Sequence, residues 1–325
     1  MVKRFLCLIL IILLAFSHIA MACRKVEPDE TEEIPEWVSE PEADETEEIP
    51  EWVTEAVDLP RIGYHIFHSD AIGGDVSFHI YSPDSYHTYP SRHFPVLYYL
   101  HGSGKGIQGI PFLTNFFNQL ITDGDIEPML IVFPNGLPDG MWCNSKDGTR
   151  PVETIVIDEL IPLVDSMFRT INSAEGRLIE GFSMGGYGAG RLGLKYHGLF
   201  AGFSMLGAGP LQLDFLEPGP YVPLHQRRKI FQLVYGGDMD YFEAQSPWRT
   251  SEVVADQLPE EITVRVVVGS LDNMLDNNRA LSAHFTGLGI DNQFIEVPGI
   301  GHTPPALMQA IRDESIQFYN SVFSR

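Results

Sequence analysis

The chain is punctuated by short runs that are apolar at nearly every position. Pro95-Val96-Leu97-Tyr98-Tyr99-Leu100, Met129 to Phe133, Leu178 to Phe182, Gly202 to Leu206 and Val264 to Val268 are the clearest, and Phe294 to Val297 is a shorter one. A strand apolar on both faces must be covered on both faces, which is the situation of a parallel sheet between helices. Val76 to Tyr81 alternates instead, as a strand with one wet face does. Between the runs, Val152 to Phe168, Gly185 to Tyr196, Arg249 to Leu258, Asn277 to Leu288 and Pro305 to Phe323 read as helices. Pro162 removes an N–H from the middle of the first of these, so a kink is expected there. Strand–helix alternation predicts an α/β domain over residues 61–325: a mostly parallel central sheet, helices on both faces and right-handed crossovers. The rhythm stops at 207–247, a Gly- and Pro-rich stretch expected to form a small insertion over the C-terminal edge of the sheet.

The first 60 residues have another texture. Lys3 and Arg4 precede an apolar run from Phe5 to Phe16, and Ala20-Met21-Ala22-Cys23 follows shortly after. A basic start, a short apolar run and small residues form a secretory signal peptide over 1–22. The run falls short of the ~20 residues that span a bilayer. Two cleavages fit. Ala20-Met21-Ala22 meets the small-x-small rule of ordinary signal peptidase. Ile19 to Cys23 resembles a bacterial lipobox in which Cys23 takes the lipid, although Ala20 stands where Leu is usual.

The segment after Cys23 favours the lipobox. Residues 23–60 form an acidic linker in which Asp29 to Val38 recurs unchanged as Asp44 to Val53. Two copies cannot build a solenoid. An acidic, Pro-containing, apolar-poor stretch is expected to be a disordered, self-repelling spacer. Placed after a lipidated Cys23, it would hold the folded domain away from the membrane of an exported, cell-envelope lipoprotein. Ile34, Trp37 and Val38, with their copies Ile49, Trp52 and Val53, also fit a short docking motif.

Charge excludes some partners. The formal net charge is −23, and residues 24–60 supply 15 acidic side chains against only Arg24 and Lys25. Phosphate contacts need clustered Lys and Arg, so nucleic acid is not an expected partner. Of three cysteines, Cys7 lies in the signal peptide and Cys23 at its end. Cys143 is left alone in the domain, without the spacing of a disulfide framework or a metal site.

The chemistry is concentrated around Gly181-Phe182-Ser183-Met184-Gly185, a G-x-S-x-G motif that follows one apolar run and opens a helix. That strand–turn–helix setting thrusts a serine out of a strained turn. A serine hydroxyl is a weak nucleophile, so it needs a base within reach and an acid to orient that base. Both must come from loops at the same sheet edge. Asp272 follows the run Val264 to Val268, and His302 follows Phe294 to Val297. His284 and His225 are rivals for the base, and Asp276, Asp238 and Asp240 for the acid. Asp276 also fits a helix N-cap. An oxyanion hole needs two N–H donors. Met184 supplies one, and the loop His101-Gly102-Ser103-Gly104 the other, through Ser103 with Gly102 or Gly104 as alternatives.

Taken together, YYLHGSG, ELIPLVDSMFRT, GRLIEGFSMGGYGAGRLGLKY, GSLDNMLDNNRAL and VPGIGH resemble the esterase D-like branch of the α/β-hydrolases. That branch includes feruloyl and acetyl xylan esterases, S-formylglutathione hydrolases, enterochelin-type esterases and mycolyltransferases. The resemblance runs from about Gly74 to Phe323. It implies the α/β-hydrolase fold, Ser183 as nucleophile, Asp272 as acid, His302 as base, and no metal or cofactor. The stretch PNGLPDGMWCNSKDG resembles the family's pocket wall, where Trp142 either contacts substrate or packs within the loop. The implied activity is a serine carboxylic ester hydrolase acting on small esters or feruloyl and acetyl esters of plant polysaccharide. An acyltransferase on the same residues, or a non-catalytic surface binding module, are the competing readings.

Overall fold

The computed structural model describes residues 52–212, 214–216 and 222–323. The expected signal peptide over 1–22, Cys23, the first copy of the repeat and the second copy up to Glu51 lie outside the described residues.

Eight strands form one sheet: β1 Ile62–Ser69, β2 Gly74–Tyr81, β3 Val96–Leu100, β4 Leu130–Pro134, β5 Arg177–Phe182, β6 Gly202–Leu206, β7 Thr263–Gly269 and β8 Gln293–Val297. Their order is β1-β2-β4-β3-β5-β6-β7-β8. From β4 to β8 every pairing is parallel, while β1 and β2 add an antiparallel edge. The expected apolar runs become the parallel strands because both of their faces are buried. Along β3, Tyr98 and Leu100 enter one core with the helix Met184–Lys195, while Leu97 and Tyr99 enter the other with Ile110–Thr122 and Arg312–Phe323. Strand β1 carries no such run. It is half-exposed, and Ile66 faces outward, so its apolar content does not stand out.

Parallel register places the functional loops. Leu100 pairs with Gly181, Phe182 with Leu206, and Gly269 with Val297. The chain therefore leaves β3, β5, β6, β7 and β8 at one sheet edge.

Local breaks follow from particular residues. The helix expected over Val152 to Phe168 is three segments: a turn at Val152–Thr154, a π-helical stretch Ile155–Leu160 and an α-helix Ile161–Met167. Pro162 stands in the first turn of the last segment, where its missing N–H is harmless, and the wider π turn absorbs the change. The helix expected over Pro305 to Phe323 breaks at Ile311 into Pro304–Ala310 and Arg312–Phe323. The insertion at 207–247 is less irregular than its composition suggests, since Leu224–Tyr235 and Met239–Ala244 are helices. Phe215 stacks on Phe231, lies tilted against Tyr235 and meets Phe242 edge-on, and this aromatic group joins the core on one face of the sheet.

The linker does not run to residue 60. From Trp52 onward the chain is fastened to the sheet. The Trp52 carbonyl accepts hydrogen bonds from the Ser77 N–H and Asn135 Nδ2, and the Thr54 N–H donates to Ser77 Oγ. The Val57 N–H donates to His79 Nε2 at 3.1 Å. Trp52 packs on one core and Val57 on the other. Sparse apolar residues read as spacer, but two of them suffice to dock a segment whose main chain finds partners.

Candidate active site

Ser183 sits between β5 and the helix Met184–Lys195 with φ 59° and ψ −119°, a left-handed, strained conformation for a residue with a Cβ. Its N–H donates to the Leu206 carbonyl, and its own carbonyl accepts from Gly209 and Tyr187, so the turn is held from both sides. The flanking glycines are required by contact. A Cβ on Gly185 would lie 2.0 Å from the Leu100 carbonyl oxygen, and one on Gly181 would lie 2.4 Å from the Gly185 oxygen.

His302 arrives on the loop after β8. Its Nε2 lies 2.9 Å from Ser183 Oγ, and its Nδ1 lies 2.7 Å from Asp272 Oδ2. A carboxylate can only accept, so Nδ1 carries the proton and Nε2 is left to accept from the serine hydroxyl. The ring rests against Phe182, with centroids 4.6 Å apart. Asp272 is fully buried in its side chain, and Oδ1 accepts from the Met274 N–H at 2.8 Å. One oxygen holds the start of the next helix and the other holds the imidazole.

The rival residues lie elsewhere. His284, in the helix Leu275–Gly287, lies tilted against Trp248, and His225 belongs to the helix Leu224–Tyr235. Asp238 caps Met239–Ala244 and pairs with Lys146, while Asp240 sits in that helix's first turn. Asp276 is not the N-cap expected of it. The helix begins at Leu275 after Met274, and Asp276 pairs with Arg279 at the surface.

Met184 is the first residue of its helix, where a main-chain N–H has no intrahelical acceptor. The 101–104 loop lies beside it, with Ser103 Oγ 3.8 Å from Met184 Sδ. Gly104 is ruled out as the second donor, because its N–H is spent on the Pro138 carbonyl at 2.8 Å.

A cavity of about 490 Å³ opens at Ser183 and His302. Tyr99, Ile107, Phe112, Leu113 and Phe133 make much of it apolar, and Thr54, Ser77, His79 and Asn135 add a polar wall. A smaller space of about 50 Å³, lined by Met141, Gln212, Phe215 and Arg227, touches Ser183 as well.

A family model described as "Putative esterase" matches residues 69–289, about two thirds of the chain. The chain belongs to the esterase family. The match contains Ser183 and Asp272 and ends before His302. Esterase MT1326 of Mycobacterium tuberculosis is 38% identical over 162 residues, which are 48% of this chain and 34% of the relative. The endo-1,4-beta-xylanase/feruloyl esterase of Xylanibacter ruminicola is 31% identical over 153 residues, 44% of this chain and 21% of the relative. The chain thus spans about a third or less of the length of the curated relatives it matches. A solved ferulic acid esterase superposes with a TM-score of 0.65 at 20% identity, covering 81% of this chain and 98% of that one. The shared architecture is the α/β-hydrolase fold.

Trp142 sits as a packed aromatic of its loop. It is fully buried and does not line either cavity. Its indole lies against Gly136 and Gly188, where an added Cβ would come within 2.5 Å of the ring. Its Nε1–H donates to the His101 carbonyl at 3.0 Å, and its own carbonyl accepts from Arg191 Nη1 at 2.9 Å. Trp142 therefore ties the helix behind Ser183 to the loop beside it. Arg191 also binds Glu153 and Gln245. Burial raises the Glu153 pKa, but the Arg191 charge and hydrogen bonds from Lys195 and Tyr196 outweigh it and hold the carboxyl at about 2.

Sequence reasoning missed Thr54, Ser77, His79 and Asn135 as cavity residues. Their exposure to it is set by the pairing of β2 with β4 and by the docked Trp52 segment, neither of which leaves a motif. Desolvation lowers both His79 and His101 to about 4, so both rings are neutral at neutral pH. Cys143 is buried, which pushes its thiol up to about 11 and leaves it unreactive.

Proposed function

We propose that this chain is an exported serine carboxylic ester hydrolase that works through an acyl-enzyme. The observation that carries the reading is the continuous line from Asp272 Oδ2 through the His302 ring to Ser183 Oγ. His302 Nε2 takes the hydroxyl proton as Ser183 Oγ attacks the ester carbonyl. The Met184 and Ser103 N–H groups hold the oxyanion, in a site that needs no reorganisation at that moment. His302 then gives its proton to the departing alcohol, leaving the acyl group on Ser183. Water, deprotonated by His302, repeats the attack, releases the acid and restores the serine. Export rests on the signal peptide and Cys23 alone.

The cavity supports one substrate class. At about 490 Å³ with aromatic lining, it is far larger than an acetyl group requires and fits an aromatic acid such as a feruloyl group. The feruloyl esterase among the relatives supports the same class. Purified full-length enzyme is expected to cleave methyl ferulate with a higher kcat/KM than acetylated xylan. Turnover of the acetyl substrate with none of methyl ferulate would reject the aromatic acyl group.

A further inference from the structure

The loop that carries Ser103 is pinned through His101. The Gly136 N–H donates to His101 Nε2 at 3.1 Å, so that nitrogen bears no proton. The proton is therefore on Nδ1, which donates to the Gly102 carbonyl at 2.7 Å. The ring is wedged against Gly106, where a Cβ would lie 2.3 Å from His101 Cδ2. The His101 carbonyl is itself held by the Trp142 indole N–H.

A peptide unit is a rigid, trans plate, so the Gly102 carbonyl and the Ser103 N–H point in opposite directions from it. Whatever holds the carbonyl aims the N–H. Gly102 cannot fix the plate through its own conformational preference, because glycine has little. It cannot be replaced by a stiffer residue at no cost either, since a Cβ there would meet the Phe182 carbonyl oxygen at 3.3 Å and Ser183 Cβ at 3.4 Å. The plate thus lies against the nucleophile and takes its orientation from a neighbour.

We infer that His101 is a positioning residue for ester hydrolysis: its Nδ1–H holds the 102–103 peptide so that the Ser103 N–H faces the oxygen that becomes negative. His101 exchanges no proton in the cycle. Its hydrogen bond persists through both tetrahedral stages, and only the Ser103 N–H touches the reacting oxygen. The inference rests on the esterase reading above.

The test compares His101→Asn, His101→Gln and His101→Leu in the full chain. The Asn amide nitrogen overlays Nδ1 and can donate to Gly102. The Gln amide overlays Nε2 and can serve only Gly136. With p-nitrophenyl acetate, Leu and Gln are expected to lower kcat by about 10- to 100-fold, less than outright loss of an oxyanion donor, with KM nearly unchanged. Asn should recover most of the loss, even if its thermal midpoint is no higher than that of Gln. Equal recovery by Gln, wild-type kcat in Leu, or kcat losses that simply follow the thermal midpoints would overturn the inference. Wild-type enzyme that neither hydrolyses the ester nor reacts with a fluorophosphonate would sink the esterase reading instead.

Discussion

Asp272 spends both of its oxygens, one on the Met274 N–H and one on His302 Nδ1–H. An amide in its place would turn its NH₂ toward one of the two. If that is His302, the ring must take the other tautomer, with Nε2–H facing Ser183 and unable to accept its proton. Asp272→Asn is therefore expected to lower kcat by about 10³- to 10⁴-fold with little change in KM. A loss of tenfold or less in steady-state hydrolysis would contradict that role. Ser183, Asp272 and His302 were legible in the sequence because Ser183 sits in a G-x-S-x-G motif right after one apolar run, and Asp272 and His302 follow two later runs within five residues, at the same sheet edge. Trp142 is open to either reading in the sequence because an aromatic in a Gly-rich loop carries no sign of which way it faces. The indole is enclosed by Gly136 of its own loop and by Gly188, far along the chain on the helix after Ser183.

At the scale of elements, the segment from Trp52 to Val57 is the least expected part of the fold. It starts with the last two residues of the second repeat, and Trp52 packs on the core while Thr54, just past the repeat, lines the cavity. Trp52 is only half-buried, so Trp52→Ala should cost less than a full aromatic deletion, about 1–3 kcal/mol. The urea midpoint of the variant measures it; an unchanged midpoint would mean the segment is not held as described. The same element explains why the spacer boundary was misplaced. Composition averages over ten or more residues, while this segment is secured by main-chain hydrogen bonds that any sequence without proline could make. The parallel strands were legible because burial on both faces writes a continuous apolar run. The edge strand β1, half in water, writes none.

For the whole molecule, the buried histidines set how stability depends on acidity. His79 has a folded pKa of about 4 against 6.5 when exposed. A lowered pKa means that the unfolded chain binds the proton more readily. This contribution is complete above pH 6.5 and is lost as pH falls from there to about 4. His101 acts in the same direction and window. Glu153, also lowered, adds its loss only at still lower pH. The thermal midpoint should therefore fall between pH 7 and about 4, and less steeply in His79→Gln, which removes one of the titrating groups. Parallel curves for the two proteins would rule this out.

The central claim is that Ser183 is the nucleophile of an ester hydrolase. Reaction of the full chain with a fluorophosphonate, followed by peptide mass mapping and p-nitrophenyl acetate assay, addresses it most directly. One adduct per chain is predicted, on the peptide containing Ser183, with Ser183→Ala losing both the adduct and the hydrolysis. An adduct on another residue, or hydrolysis that survives in purified Ser183→Ala, would contradict the account.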